Sequence, residues 1–248
     1  MPGRAARYQS ARHDPSLVVL EGFHALKHAL RFGAAVLEAV TDDSAAILAL
    51  AESLAPDLVP ALPALLAEVS PAEFAGLAPS APPTPVVALA RRPAVPAATV
   101  LAAPGPEPVV LLDRPNHLGN LGAVVRVAAA AGAAGVITTG ERDPWHPAAV
   151  RGSAGLHFAV AVARLSGPLP GGRPLIAVDP QGEPLWQAAL PSRALLAFGG
   201  ERCGLGPALL AAATLRIAIP MEPGVSSLNL ATAVAVVLFE ARRRSPPL

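Results

Sequence analysis

Apolar residues in this chain fall into short uninterrupted runs, separated by stretches where they recur every three or four positions. That alternation predicts strands and helices in turn. Residues 17–20, 36–41 and 86–91 read as strands, and 59–62 as a further one. Between them, Glu21 and Gly22 open a helix over 23–31 that Gly33 closes, and a second helix runs over about 44–54. Ser70-Pro71-Ala72-Glu73 is a helix start with Glu73 at the capping-box position. The first ninety residues thus predict a small α/β domain over 17–92, preceded by a basic arm over 1–16 that carries Arg4, Arg7 and Arg12. The arm is expected to be flexible.

Residues 93–108 are rich in Pro and Ala around Pro104-Gly105-Pro106 and are expected to be a linker. Beyond it, 109–113 is a continuous apolar run, as in a buried parallel strand. A helix over about 121–131 follows, closed by Gly132. Strands are then expected at 135–139, 160–165, 175–179, 194–199 and 215–219, with a weak helix near Trp186 and a short one over 204–213. The last element is an apolar helix over about 228–243, with Glu240 and Arg244 one turn apart. Residues 109–248 therefore predict an open, mostly parallel sheet, which binds ligands off the carboxyl ends of its strands.

Composition narrows the classes. The formal net charge is +1 and Lys27 is the only lysine, so no overall basic field announces nucleic acid. One cysteine, Cys203, excludes an internal disulfide framework and suits a reducing cytoplasm; a partly buried structural thiol is expected there. The mean hydropathy of +0.47 is high, yet no uncharged, proline-free run has the length of a membrane span, and residues 1–12 lack the apolar core of a signal peptide. His24 and His28 share a helix face without a third ligand, so no metal is expected. Arg242, Arg243 and Arg244 are expected to satisfy the end of the last helix.

Three loops following predicted strands carry the candidate chemistry. Gly119-Asn120-Leu121-Gly122 is too short for a dinucleotide fingerprint, and no acidic residue ends the next strand. Taken together, however, the loops resemble a known family. Asn116 to Ala128 reads N-x-x-G-N-x-G-A-x-x-R-x-A; Gly199-Gly200-Glu201-x-x-Gly204-Leu205 follows; and Ile219-Pro220-Met221 leads to Ser227-Leu228-Asn229. In this order they are similar to the three motifs of the SpoU (TrmH-like) branch of the SPOUT methyltransferases, and Arg151-x-Ser153-x-Gly155 fits the same family. More loosely, the first domain resembles ribosomal protein L30e, an RNA-binding fold.

The resemblance implies a deep trefoil knot in the second domain and a homodimer whose site is completed across the interface. The implied cofactor is S-adenosylmethionine, held by Gly199, Gly200, Gly204, Ile219, Met221 and Leu228. The implied reaction is methyl transfer to a ribose 2′-hydroxyl of structured RNA, ribosomal more than transfer RNA, in the cytoplasm, with neither metal nor membrane. Arg126, Asn120, Glu201, Ser227 and Asn229 are the implied catalytic set, and Arg126, Arg151 and Ser153 the implied RNA contacts. A guanidinium is a poor base, so Arg126 is expected to grip phosphate and stabilise developing alkoxide. The chain departs from the usual motifs at Val127, Ala129 and Ala231, all outside the polar set. A non-catalytic RNA-binding protein on the same scaffold is the alternative.

Overall fold

The computed structural model describes residues 3–244. The chain begins with α1 (Arg4–Ala11), β1 (Leu17–Glu21), α2 (Phe23–Arg31), β2 (Val36–Thr41), α3 (Ser44–Leu54), α4 (Leu62–Leu65), β3 (Leu66–Glu68), α5 (Pro71–Ala75) and β4 (Val86–Arg91). Then come α6 (Ala97–Leu101), β5 (Val109–Asp113), α7 (Leu118–Ala131), β6 (Gly135–Thr138), α8 (Pro147–Gly152), β7 (Ala161–Arg164) and β8 (Leu175–Pro184). The last elements are β9 (Leu195–Gly199), α9 (Pro207–Ala212), β10 (Leu215–Ala218) and α10 (Leu230–Arg244). Two compact units divide these elements. One holds the residues up to Ala94 together with Trp145–Ala159; the other holds Val95–Pro144 and the residues from Val160 onward.

The first unit is built on a four-stranded sheet in the order β1-β4-β2-β3, antiparallel except for the β2–β3 pair. Three sequence expectations fail here. The arm is not flexible over its described residues, its first two lying outside them: α1 buries Tyr8 and Ala11 in the core beside Val19, Val40 and Leu89. Its charges are spent on acids of the same unit, Arg4 on Glu38 and Glu73, Arg7 on Glu38, and Arg12 on Glu21. Nor is 59–62 a strand. Pro60 and Pro63 remove ladder donors, Pro63 sits in the first turn of α4, and pairing with β2 passes to β3. Third, residues 145–159 leave the expected second domain for this unit. Gly155 explains how closely they pack: it sits at φ +80°, and a Cβ there would lie 2.4 Å from Ala25 O.

The second unit is a six-stranded sheet in the order β10-β8-β9-β5-β6-β7 with every pairing parallel. The residues 245–248 expected to end this domain lie outside the described ones. The expected linker is not one, because α6 places Ala97, Val100 and Leu101 in the core with Val109, Leu111, Ile137 and Leu195. No helix forms near Trp186; a turn closes there through Gln187 and Ala188 N–H to Pro184 O. The chain moves from β5 to β6 and β7 on one side, then returns with β8 and β9 on the other. This reversal between β5 and β9 is a topological switch point, where neighbouring loops diverge and leave a crevice. The β8–β10 ladder is interrupted: Arg216 pairs with Ala177 but Ile217 with Glu183, so residues 178–182 bulge out at the same end of the sheet. Helix α10 packs against α7.

Candidate functional site

The crevice at the switch point is a cavity of about 520 Å³, within the range of roughly 300–1,000 Å³ typical of small-ligand sites. All three motif loops reach it. Gly199 ends β9, and the chain turns back so that Gly200 pairs with Gly204. The turn is tight enough to demand glycine: a Cβ on Gly199 would stand 2.1 Å from Gly204 C and 2.3 Å from Leu205 N. From the other side come Ile219, Met221 and residues 226–229, and from the β8 bulge Val178, Asp179 and Pro180. Phe198, Leu205, Ile219 and Leu230 make much of the wall apolar, while glycine backbone and the polar ends of the motifs face in.

A hydrogen-bonded relay ties the three loops into one site. Asn120 Nδ2 donates to Glu201 Oε1 at 2.9 Å, and Asn116 N–H to Glu201 Oε2 at 3.2 Å. Asn229 Nδ2 donates to Asn120 Oδ1 at 3.1 Å. Asn229 Oδ1 in turn accepts from Ala231 and Thr232 N–H and so caps α10. Each Asn is therefore oriented by a partner in another motif. Partial burial pushes the Glu201 carboxyl up, but the Asn120 amide and the backbone N–H groups of Glu201, Asn116 and His117 outweigh it and hold it below the usual carboxylate range.

Beneath the relay, Asp113 pins the carboxyl ends of β5 and β6. It accepts from Thr139 Oγ1 (2.7 Å), Gly206 N–H (2.9 Å) and the Arg114 guanidinium (3.0 Å). Burial opposes its charge, but these three donors prevail and keep its carboxyl low. Nothing in local patterning marks Asp113 or Asp179. Asp113 ends β5 and Asp179 lies within β8 where its ladder to β10 breaks, and only the sheet order brings them near the motifs.

The expected cofactor residues Gly199, Gly200, Gly204, Ile219, Met221 and Leu228 all line this one cavity, as do Asn120, Glu201, Ser227 and Asn229. Arg126 does not line it; it is exposed on α7. Arg151 and Ser153 lie in the first unit. Arg151 pairs with the buried Glu21 at 2.9 Å, and Ser153 is fully buried. The Ser153 hydroxyl donates to Val150 O and meets His157 Nδ1 at 2.7 Å, so in this fold it stabilises a turn and offers RNA no surface. Cys203 is exposed rather than partly buried, because it rides the outside of the glycine turn. The terminal arginines serve neighbouring segments: Arg242 donates to Ala130 O at the end of α7, and Arg244 to Leu185 O and Ala188 O. His28 bonds Ala154 O rather than joining His24, and among the described residues no three His, Cys, Asp or Glu side chains gather as metal ligands.

A parallel α/β sheet with a cavity assembled at its switch point from three distant loops defines the class. The family model of the SpoU rRNA methylases matches residues 107–239, and the chain belongs to that family. It is 38% identical over 144 residues to an uncharacterized tRNA/rRNA methyltransferase of Synechocystis, covering 54% of this chain and 53% of the relative. It is 34% identical over 151 residues to the 23S rRNA (uridine(2479)-2′-O)-methyltransferase of Streptomyces viridochromogenes, covering 54% and 52%. The matched stretch thus spans about half the length of the curated relatives. Across the whole chain, the crystal structure of the SpoU methyltransferase AviRb from the same Streptomyces, in complex with the cofactor AdoMet, superposes with a TM-score of 0.79. It is 25% identical and the match covers 98% of each chain.

Proposed function

We propose that this protein transfers a methyl group from S-adenosylmethionine to a ribose 2′-hydroxyl of RNA, ribosomal in preference to transfer RNA. The observation that carries the reading is the Glu201–Asn120–Asn229 relay, which joins all three family motifs around one cavity. The cavity suits the cofactor: its apolar wall at Phe198, Leu205, Ile219 and Leu230 fits a nucleoside, and the glycine turn lets backbone groups come close. That cofactor carries its methyl on a sulfonium, already activated for attack by a hydroxyl. The chain's part is then to place and prepare the hydroxyl. Glu201, kept ionised, fixes Asn120; Asn120 and Asn229 orient the ribose, and Ser227 on the wall bonds the ligand or its neighbour. The activity in the Streptomyces relative's name supports ribosomal RNA as the substrate.

Arg126 grips the RNA phosphate and stabilises the developing alkoxide. Because it does not line its own chain's cavity, it fits a site completed by a second copy. A homodimer is supported by the outer face of α10, where Phe239 is 49% exposed. The reading extends to a trefoil knot in the second unit, supported by the meeting of the 199–206 and 219–229 segments on one cavity while α10 returns to α7. It also extends to RNA binding by the first unit, with Arg151 at its surface, and to work in the cytoplasm. No helix among the described residues is long and apolar enough to cross a membrane.

Calorimetry with S-adenosylhomocysteine, followed by tritiated methyl transfer to ribosomal RNA and mapping of 2′-O-methyl sites, tests the proposal. Binding with label in ribose is the expected result. Binding without label would leave an RNA-binding protein on this scaffold, and no binding would remove the reading. Arg126→Ala is expected to lower transfer by at least about 100-fold while cofactor affinity stays within a few-fold. Normal turnover in that variant would remove Arg126 from the reaction.

A further inference from the structure

Two charged side chains line the cavity among the described residues, Glu201 and Asp179, and both are acids. No lysine, arginine or histidine shares the wall. Glu201 is engaged with Asn116 and Asn120. Asp179 is engaged differently. It sits on the β8 bulge, half-buried, and its Oδ1 accepts from Gln181 N–H at 2.8 Å, an Asx turn that fixes the direction of the carboxylate. Oδ2 takes no part in that turn. Gly182 holds the bulge rigidly against β10, since a Cβ there would lie 2.5 Å from Ile217 backbone atoms.

We propose that Asp179 is a specificity residue that favours the cationic, methyl-bearing cofactor over its demethylated product; this rests on the methyltransferase reading above. S-adenosylmethionine carries a sulfonium, an ammonium and a carboxylate, for a net charge of +1. S-adenosylhomocysteine has lost the sulfonium charge and is neutral overall. The two have nearly the same shape, so packing alone distinguishes them poorly, whereas a fixed carboxylate does so through charge. A sphere of about 520 Å³ is about 10 Å across, and charges exposed to solvent are screened over about 8 Å at physiological ionic strength. A sulfonium near the middle of the cavity lies about 5 Å from the wall, within that length, so a carboxylate on the wall acts on it. An acidic wall also disfavours anionic nucleotides, which need cations or helix N-termini for their phosphates. A site that holds product less firmly than substrate empties after each transfer, with no movement of the fold.

The test is calorimetry on the full chain with three ligands: S-adenosylmethionine, S-adenosylhomocysteine, and sinefungin, which bears an amine where the sulfonium stands and is a cation of similar shape. Asp179→Asn is expected to weaken S-adenosylmethionine and sinefungin about three- to tenfold, with S-adenosylhomocysteine changed less than about twofold. Asp179→Glu should restore most of the discrimination. In the wild-type protein, raising the salt concentration should narrow the affinity ratio between sinefungin and S-adenosylhomocysteine, a readout that needs no variant to fold. Equal weakening of all three ligands by Asp179→Asn would assign the carboxylate to a part they share and overturn the inference, as would a wild-type ratio indifferent to salt. A wild-type protein that binds none of the three would overturn the methyltransferase reading itself, and the role of Asp179 with it.

Discussion

The Arg173 guanidinium is buried in the second unit and donates to four main-chain carbonyls: Leu101 O (2.8 Å), Ala103 O (2.9 Å), Glu107 O (2.8 Å) and Arg193 O (3.2 Å). A rigid fork of donors can satisfy several acceptors at once, which an ammonium on a flexible stem cannot do with the same geometry. This is how residues 101–107, proline-rich and without a ladder, remain ordered. Arg173→Ala is expected to cost about 2–4 kcal/mol in urea unfolding through the carbonyls left unsatisfied, and Arg173→Lys to recover less than half of that. A second residue sets a pH response. Burial, only partly opposed by the Ala154 carbonyl 2.6 Å from Nδ1, holds the His28 ring below its ordinary value of 6.5, and Lys27, His24 and Arg31 push the same way. The unfolded chain therefore takes up this proton first as pH falls. The contribution is complete above about pH 6.5 and is lost as pH drops through the folded value. The melting temperature of the wild type should fall between about pH 7.5 and 5.5, and the His28→Gln protein should lose less over the same interval.

At the scale of elements, the segment from Trp145 to Ala159 is held to the first unit by several contacts of different kinds. Arg151 meets Glu21, His28 meets Ala154 O, and the Arg92 guanidinium lies 5.7 Å from the Trp145 ring centroid. Gly155 lies at the closest approach. Gly155→Ala combines a left-handed backbone with overlap against Ala25 O, and should destabilise the first unit by about 2–4 kcal/mol. Hydrogen exchange should then speed up in α2 and over 145–159. The R-x-S-x-G spacing does not reveal this: the family resemblance implies RNA contacts at Arg151 and Ser153, yet Ser153 and Gly155 serve internal packing. Elements whose signals are local came through well. Helices α2 and α3 and strands β2 and β4 occupy the residues that capping and apolar runs predicted. Those missed were short. Helix α6 is hidden by flanking prolines, and α1 by a basic surface that exposes little of its two core residues to pattern reading.

For the molecule as a whole, the proposed dimer makes its own prediction. Phe239→Asp, on the exposed side of α10, should shift the protein to monomer in sedimentation. It should also remove methyl transfer while leaving the melting temperature of the fold within a few degrees, if Arg126 serves the second copy's site. The chain's own pattern determined that there are alternating strands and helices, that the later half is a parallel sheet, and which residues carry the three motifs in order. Those properties depend on neighbours a few positions apart, where periodicity and capping act directly on the backbone. Folding alone decided that Asn120 would meet Glu201, 81 residues away, and Asn229, 109 residues away. It decided as well that Asp179 would join them, and that Arg151, while still exposed, would pair with the buried Glu21. Such partnerships are set by the order in which strands enter the sheet, because a reversal between β5 and β9 is what leaves room for distant loops to converge.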